Sequence, residues 1–350
     1  MMGALRIAGP CPSSRLPAYV LPVRTSLLLG GRGRAISLGV LLLGAVPPVA
    51  GAQGLPAYRP INPILASRSA LGFQPLVAAS PRWRVTLALD YANAIDANRR
   101  PPAEYTLDGE FMRLEATIAH DIGTRMFGQA SIGAGKAYPG FLDPFVSWWH
   151  NLYGFSESVR EAHPKNQYDW HVRLPDGTTL VRPPTGTYLT DARLTFGLRH
   201  SPRWQTGVTL AVPTSGAPEG YTLSTLAAAL STTYRSPVLW DRVTAEGSLG
   251  MGYTPRHGDL AKWQREVFYG ASAGARVRIV GKQSVYTNLV LHSQVYNGTT
   301  FPAMDNMDLS LDFGFLLKPG GGPEIIAGLV EDLYTFGPAV DLVFRLAARW

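Results

Sequence analysis

The sequence predicts an all-β fold, a transmembrane antiparallel β-barrel, and three observations predict it. From residue 81 onward apolar and polar side chains alternate with a period of two. The alternating segments are joined by connections that are in turn short and long. The last stripe (Val340, Leu342, Phe344, Leu346, Ala348 and Trp350) stays in phase to the final residue.

The alternation is strict where it is strongest. Trp83, Val85, Leu87, Leu89 and Tyr91 share one face, and Arg84, Thr86, Ala88 and Asp90 the other. Met112, Leu114, Ala116 and Ile118 alternate with Arg113, Glu115 and Thr117, and Ala192, Leu194, Phe196 and Leu198 with Arg193, Thr195 and Arg199. Successive side chains of a strand point to opposite faces, so each segment has a greasy and a polar side. Twelve strands follow, near 82–91, 108–120, 124–135, 188–200, 203–213, 223–233, 241–253, 266–280, 283–297, 306–318, 323–332 and 339–350, with ten or fourteen left open. Short joints fall near 121–123, 201–202, 281–282 and 319–322, with a slightly longer one at 234–240. Long joints fall near 92–107, 136–187, 214–222, 254–265, 298–305 and 333–338. Bacterial barrels have an even strand number, short periplasmic turns and long outer loops. Gln167–Leu174 and Thr178–Arg182 flank Pro175-Asp176-Gly177, a hairpin signal assigned to a ribbon within the long third loop, because two more barrel strands would disturb the alternation.

A soluble sandwich shares the alternation, and the C-terminus separates the two. Terminal residues of soluble domains usually fray, whereas a last strand carrying Phe344, Leu346 and Trp350 is similar to the assembly signal of outer-membrane barrels. Closure is also what lets a chain without long apolar helices sit in hydrocarbon, because open sheet edges would leave backbone groups unpaired there. No segment reaches 18 apolar residues, which excludes a helical membrane protein.

Composition agrees. Charged residues make up 16% of the 350 residues while hydrophobic ones make up 46%, and Gly (37) and Pro (28) are plentiful. The net charge of +7 belongs mainly to the leader: Arg6, Arg15, Arg24, Arg32 and Arg34 precede residue 53, and without them it falls to +2. Basicity is therefore no argument for nucleic-acid binding. Arg32-Gly-Arg34, the apolar run Ala35–Val46 and Ala50-Gly51-Ala52 read as the parts of a cleavable signal peptide covering 1–52, with translation starting downstream near Val20 or Val23. The single cysteine, Cys11, lies in that segment, so the exported chain has no disulfide and no thiolate metal site. Residues 53–80 are Pro-rich and aperiodic, and read either as a periplasmic tail or as a plug in the barrel mouth; 81–350 is the barrel.

The stretch from Gly140 to Arg160, with Leu142-Asp143, Trp149-His150 and Gly154, followed by Asn166, resembles an uncharacterised bacterial family, a domain of unknown function of outer-membrane barrel type. The segments Asp90-Tyr-Ala-Asn93 and Leu107-Asp108-Gly109-Glu110…Arg113 are similar to the same family. The resemblance spans roughly residues 60–350. It implies a barrel in the outer membrane of a Gram-negative cell and lends no activity.

Candidate sites follow from position. In the third loop Asp143 and His150 stand two helical turns apart and fit one helix face. They read either as an acid–base pair or as a helix cap with Pro144 at its first position, His150 and Arg160 pinning the loop; Trp149, Gly154 and Asn166 complete the motif. Asp108, Glu110 and Arg113 read as a solute path or an ion pair at the rim. The polar phase gathers Arg84, Asp90, Arg113, Glu115, Asp191, Arg193, Arg199, Arg242, Glu246, Arg276, Arg278, His292, Asp308, Asp312, Asp341 and Arg345. Such a lumen passes small polar solutes, porin-like, or is closed by pairs of opposite charge. His200-Ser201 and His292-Ser293 are adjacent on strands and face opposite ways, so neither pair joins a nucleophile to its base. No metal, cofactor or catalytic constellation is expected; the expected partners are outer-membrane lipid, the barrel-assembly machinery and a small polar solute. A structural or surface-interaction barrel is the second reading, a lipid-modifying enzyme the third.

Overall fold

The computed structural model describes residues 54–350 apart from 81, 155–157, 335–336 and 339. The segment 1–52, read above as a signal peptide, therefore lies outside the described residues. Twelve antiparallel strands form the wall: β1 (Arg84–Arg100), β2 (Ala103–Ile122), β3 (Met126–Tyr138), β7 (Ala192–Ser201), β8 (Trp204–Val212), β9 (Ala227–Arg235), β10 (Val243–Tyr253), β11 (Val267–Val280), β12 (Gln283–His292), β13 (Asp308–Leu317), β14 (Glu324–Asp332) and β15 (Leu342–Arg349). Each pairs with its sequence neighbour, and β1 also pairs with β15 in the register Asp90↔Arg345, so the sheet closes on itself. The backbone N–H of Trp350 donates to the Val85 carbonyl at 2.9 Å, carrying the pairing to the end of the chain. No helix among the described residues is long and apolar enough to cross a membrane.

The outward phase is an apolar belt. Leu114, Ile132, Phe196, Val208, Leu249, Phe315 and Leu346 are exposed. Trp83, Trp204, Tyr234 and Trp240 are exposed at the short-turn end, where aromatic side chains suit a boundary between hydrocarbon and water. The inward phase is polar and buried, with Arg84, Asp90, Arg113, Arg193, Arg199, Glu246, Asp312, Arg345 and Arg349 all shielded from solvent.

Two strands outrun the wall. At about 3.4 Å per residue, the 17 residues of β1 and 20 of β2 reach well past an apolar band about 25 Å tall. The connection expected at 92–107 is therefore no loop: Ile95↔Asp108 through Arg100↔Ala103 stay in register up to a turn at Pro101-Pro102. The alternation fades in the sequence because this part leaves lipid and meets protein on both faces; Ala92, Asn93 and Ala94 are all buried. The projecting edge of β2 recruits β4 (Asp169–Arg173), which pairs with β5 (Thr179–Val181) around the Asp176-Gly177 tip. The Thr178 N–H and the Lys262 ammonium bring the Asp176 carboxyl down to about 2, tying this tip to the β10–β11 loop. The third connection thus runs 139–191, somewhat later than the expected 136–187, and also holds β6 (Tyr188–Leu189), α2 (Asp143–Tyr153) and α3 (Ser158–Glu161). Above the barrel, Tyr105, Leu107, Trp170, Val172, Leu180, Tyr221, Phe301 and Met304 form a hydrophobic cap.

Residues 54–80 run through the lumen as a loop. The chain passes Arg349 at the short-turn end, climbs to the short helix α1 (Pro63–Ala66) beneath the cap, and descends again to Asp121 before β1 begins. Asn62 caps α1, its Oδ1 accepting from the Ile64 N–H at 2.8 Å, with Pro63 at the first helical position. The two limbs touch through paired backbone bonds between Tyr58 and Phe73. Glycines on the wall make room: a Cβ on Gly250 would lie 2.4 Å from Leu71, and one on Gly274 2.7 Å from Leu55.

Leu346 sits mid-strand on the exposed face, so Leu346→Arg is expected to cost about 2–4 kcal/mol of stability in lipid. Denaturant unfolding in lipid vesicles measures this; an unchanged midpoint would mean that the outward phase does not face hydrocarbon.

Candidate functional site

The lumen is held together by guanidinium groups. Wall arginines donate to backbone carbonyls of the internal loop: Arg113 to Arg59 and Pro60 (2.8 and 2.6 Å), Arg193 to Ser69 and Ala70 (3.1 and 2.9 Å), Arg199 to Val77 (2.8 Å), Arg84 to Ala78 (2.9 Å) and Arg349 to Gly54 (2.9 Å). An extended Pro-rich segment has carbonyls without ladder partners, and a buried carbonyl without a donor costs roughly 1–3 kcal/mol. Rigid multi-donor guanidinium forks supply those donors. In the other direction, Arg59 of the loop pairs with Glu115 and Asp191 on the wall.

A second chain of charges locks the closure seam. Arg113 pairs with Asp90 (2.7 Å), Asp90 with Arg345 (2.9 Å) and Arg345 with Asp312, whose other oxygen accepts from the Tyr286 hydroxyl at 2.8 Å. The chain crosses β14 at Gly328, where a Cβ would fall 2.3 Å from the Tyr286 hydroxyl. Every charge in it is buried and paired, as burial requires.

Cavities survive on the short-turn side of the loop. One of about 130 Å³ lies between Pro56, Leu76, Val77 and the wall residues Ala88, Asp90 and Arg345. A larger one of about 560 Å³ opens at the short-turn mouth, where Arg203, Arg235, Arg242, Arg276, Arg278, Lys282 and Lys318 outnumber Asp241, Glu246 and Glu324. Arg276 contacts Glu324 at 3.2 Å, and Arg349, which lines the smaller cavity, contacts it at 2.8 Å.

The long-loop motif assembles elsewhere, on the outside of the wall. Asp143 is the first residue of α2 but does not cap it: the cap position is Leu142, with no side-chain bond. Its carboxylate instead pairs with Arg160, accepts from Asn93 Nδ2 at 2.9 Å and from the Asn166 N–H. Arg160 also reaches Asp341 and Asn93 Oδ1. Asp143 and His150 share the buried face of α2, yet they do not pair; His150 Nε2 lies 3.3 Å from Glu331. Gly154 ends the helix in the left-handed conformation (φ 74°) that glycine adopts without strain, and Trp149 packs against Tyr153 in a tilted arrangement with ring centroids 4.7 Å apart. Burial pushes the Asp341 carboxyl above its ordinary range, and the neighbouring Arg160 pulls it back.

The trio expected at the rim is split between the two faces. Arg113 points inward to Asp90, while Glu110 points outward, accepting from the Tyr91 hydroxyl and from the Phe141 and Leu142 N–H groups. Asp108 has the outward parity of Glu110 and is buried. There is no ion pair between Glu110 and Arg113; residue parity, even against odd, already separates them. Sequence reasoning placed His292 in the lumen but missed its partner, Ser69. Nδ1 of His292 donates to the Ser293 carbonyl (2.6 Å), which leaves Nε2 to accept from Ser69 Oγ (2.7 Å). Both residues are buried, and the atom behind the imidazole is a carbonyl oxygen rather than a carboxylate.

No family model matches the chain, and no curated protein does, so the family suggested by the Gly140–Arg160 stretch gains no support there. Solved structures of similar shape are outer-membrane barrels. An outer-membrane channel from Pseudomonas putida F1 aligns with a TM-score of 0.48 at 12% identity, covering 79% of this chain and 98% of that one. A Pseudomonas aeruginosa FadL homologue gives 0.42 at 9%, covering 85% and 99%. The translocator domain of the autotransporter NalP from Neisseria meningitidis gives 0.39 at 11%, covering 79% and 90%.

Arg160→Ala leaves Asp143 and Asp341 buried without their cation, a loss of about 3–5 kcal/mol. The expected result is rapid proteolytic cutting within 139–168 while β1–β15 stay protected; protection unchanged from the parent chain would show that Arg160 does not hold the loop.

Proposed function

We propose that the chain is an outer-membrane channel for small polar solutes whose lumen is closed at rest by the internal loop 54–80. The carrying observation is how that loop is held. Its carbonyls are bonded by side chains of the wall rather than by a strand ladder, so water can replace each bond as the loop moves, and cavities already flank it on the short-turn side. Both limbs enter and leave at the short-turn mouth, so the loop can withdraw without breaking the wall. On this reading the short turns are periplasmic, the cap and the β4–β5 ribbon face outward, residues 1–52 direct export, and the strand bearing Phe344, Leu346 and Trp350 is the surface read by the assembly machinery. No catalytic role is assigned: the Ser69–His292 pair is sealed from solvent, and hydrolytic use of such a pair needs a substrate within hydrogen-bond reach. The cationic excess at the mouth favours anions over cations, because a cleft lined by one sign of charge raises the local concentration of the other.

The second reading is a structural barrel with a permanently filled lumen. Its specific support is the apolar packing of the loop: Ile64 and Leu65 of α1, and Leu71 beyond it, are buried in the same hydrophobic cluster as the cap residues.

Single-channel recording in planar bilayers separates the two. The parent chain is expected to be mostly closed, and Arg113→Ala/Arg193→Ala, which removes four of the anchoring bonds, to raise the frequency of discrete openings. Silence from both this variant and a chain lacking 54–80, each folded by heat-modifiability on gels, would favour the structural barrel. In the open variant, Arg276→Gln/Lys318→Gln should move the reversal potential toward cation selectivity; no movement would remove the mouth from the solute path.

A further inference from the structure

Helix α2 is built inside out. A helix on a water-soluble surface buries its apolar stripe and exposes its polar one. Here the side turned to the protein carries Asp143 and His150, with Val146 between them, and the side turned away carries Phe145, Trp148, Leu152 and Tyr153, exposed by 37, 56, 60 and 57%, with Phe141, just ahead of the helix, exposed by 65%. No charged residue lies on the exposed side. The wall beneath is matched to this inversion. Asn93, Glu110 and Glu331 occupy outward positions, the phase that elsewhere presents Leu114, Leu249 and Leu346, and they serve the polar underside of α2 through Asp143, the Phe141 and Leu142 N–H groups, and His150.

The exposed face of α2 is continuous with the apolar belt. Phe145 meets Phe344 on the outward face of β15, with ring centroids 5.4 Å apart, and Phe141 meets Tyr91 on β1 at 5.8 Å. Tyr91 in turn meets Tyr138 of β3 at 6.1 Å. An apolar face surrounded by water would cost free energy in proportion to its area, whereas Trp and Tyr between apolar side chains suit the boundary of headgroups and acyl chains.

We infer that α2 is an interfacial helix: it lies along the outside of the barrel at the long-loop rim with Phe145, Trp148 and Leu152 immersed in the lipid boundary, and the Asp143–Arg160–Asp341 and His150–Glu331 contacts hold it at that depth. Its partner is the lipid surface itself, recognised through apolar immersion and not through headgroup charge. This rests on the outer-membrane reading above and adds a lipid-binding element outside the strands.

The test uses nitroxide labels in the full chain, whose one cysteine, Cys11, is first changed to Ser. Labels are placed by Leu152→Cys, by Leu346→Cys as a belt reference and by Gly177→Cys as an aqueous reference, each refolded into phosphatidylcholine vesicles. Collision with oxygen and with a water-soluble nickel chelate is read by power saturation. The label at 152 is expected to match that at 346, with high oxygen and low chelate access, and to differ from that at 177. Chelate access at 152 equal to that at 177, with 346 still in lipid, would overturn the inference and leave the barrel reading intact. Exclusion of both reagents at 152 would mean that protein, a second copy of the chain included, covers the helix, and would overturn it too. Chelate access at 346 would overturn the membrane reading on which the inference stands.

Discussion

Guanidinium groups bonded to backbone carbonyls are the contact on which the lumen depends. A twelve-stranded wall encloses more space than its own side chains fill, and the 54–80 loop occupies it without forming a sheet or a long helix. Such a segment brings many carbonyls into a buried space, and each needs a donor. Arg84, Arg113, Arg193, Arg199 and Arg349 stand on four of the twelve strands and reach inward to supply them. Arginine keeps its charge and offers a planar fork, so one residue can serve two carbonyls, as Arg113 and Arg193 do. The acids of the wall then balance the cations: Asp90 is shared by Arg113 and Arg345, and Asp121 by Arg84 and Arg199.

The same arrangement divides the molecule into three zones. Around the belt, apolar groups face outward and polar groups inward. At the long-loop end the order reverses, with an apolar cap over α1 and polar residues on the outer wall beneath α2. At the short-turn end the lumen opens into a cationic mouth. The chain makes these zones by changing what surrounds a strand while the strand continues, most plainly in β1, whose inward Asp90 meets Arg345 and whose later Ala92 and Ala94 pack in protein on both sides.

Much of the wall was legible in the sequence, because a strand with lipid on one side and polar contents on the other must alternate. The strands and the inward phase of Arg345 follow from that periodicity, the closed barrel from the in-phase C-terminus and the alternating joints, and the ribbon from the turn signal at Asp176-Gly177. It fails where its cause fails. Above the belt β1 and β2 have protein on both faces, the pattern dissolves, and residues 92–107 look like a loop. The 54–80 loop has no period at all, since its path is dictated by arginines scattered over hundreds of residues. Asp143 was misplaced for a related reason: Leu-Asp-Pro is a common way to begin a helix, and only the folded chain brings Arg160, Asn93 and Asn166 close enough to claim its carboxylate. The split of Asp108 and Glu110 from Arg113, by contrast, was open to simple parity.

The path of the internal loop has a topological consequence. Gly54 and Ser80 both lie at the mouth where the barrel begins and ends, so the segment enters and leaves by one door. Among the described residues, the seam between β1 and β15 encircles a bight rather than a strand passing through. A bight can be drawn into a closed ring, or out of it, while all twelve strands stay paired. Sealing the lumen and closing the wall are thus separate events, and the order in which they occur during assembly is left free by the geometry of the chain.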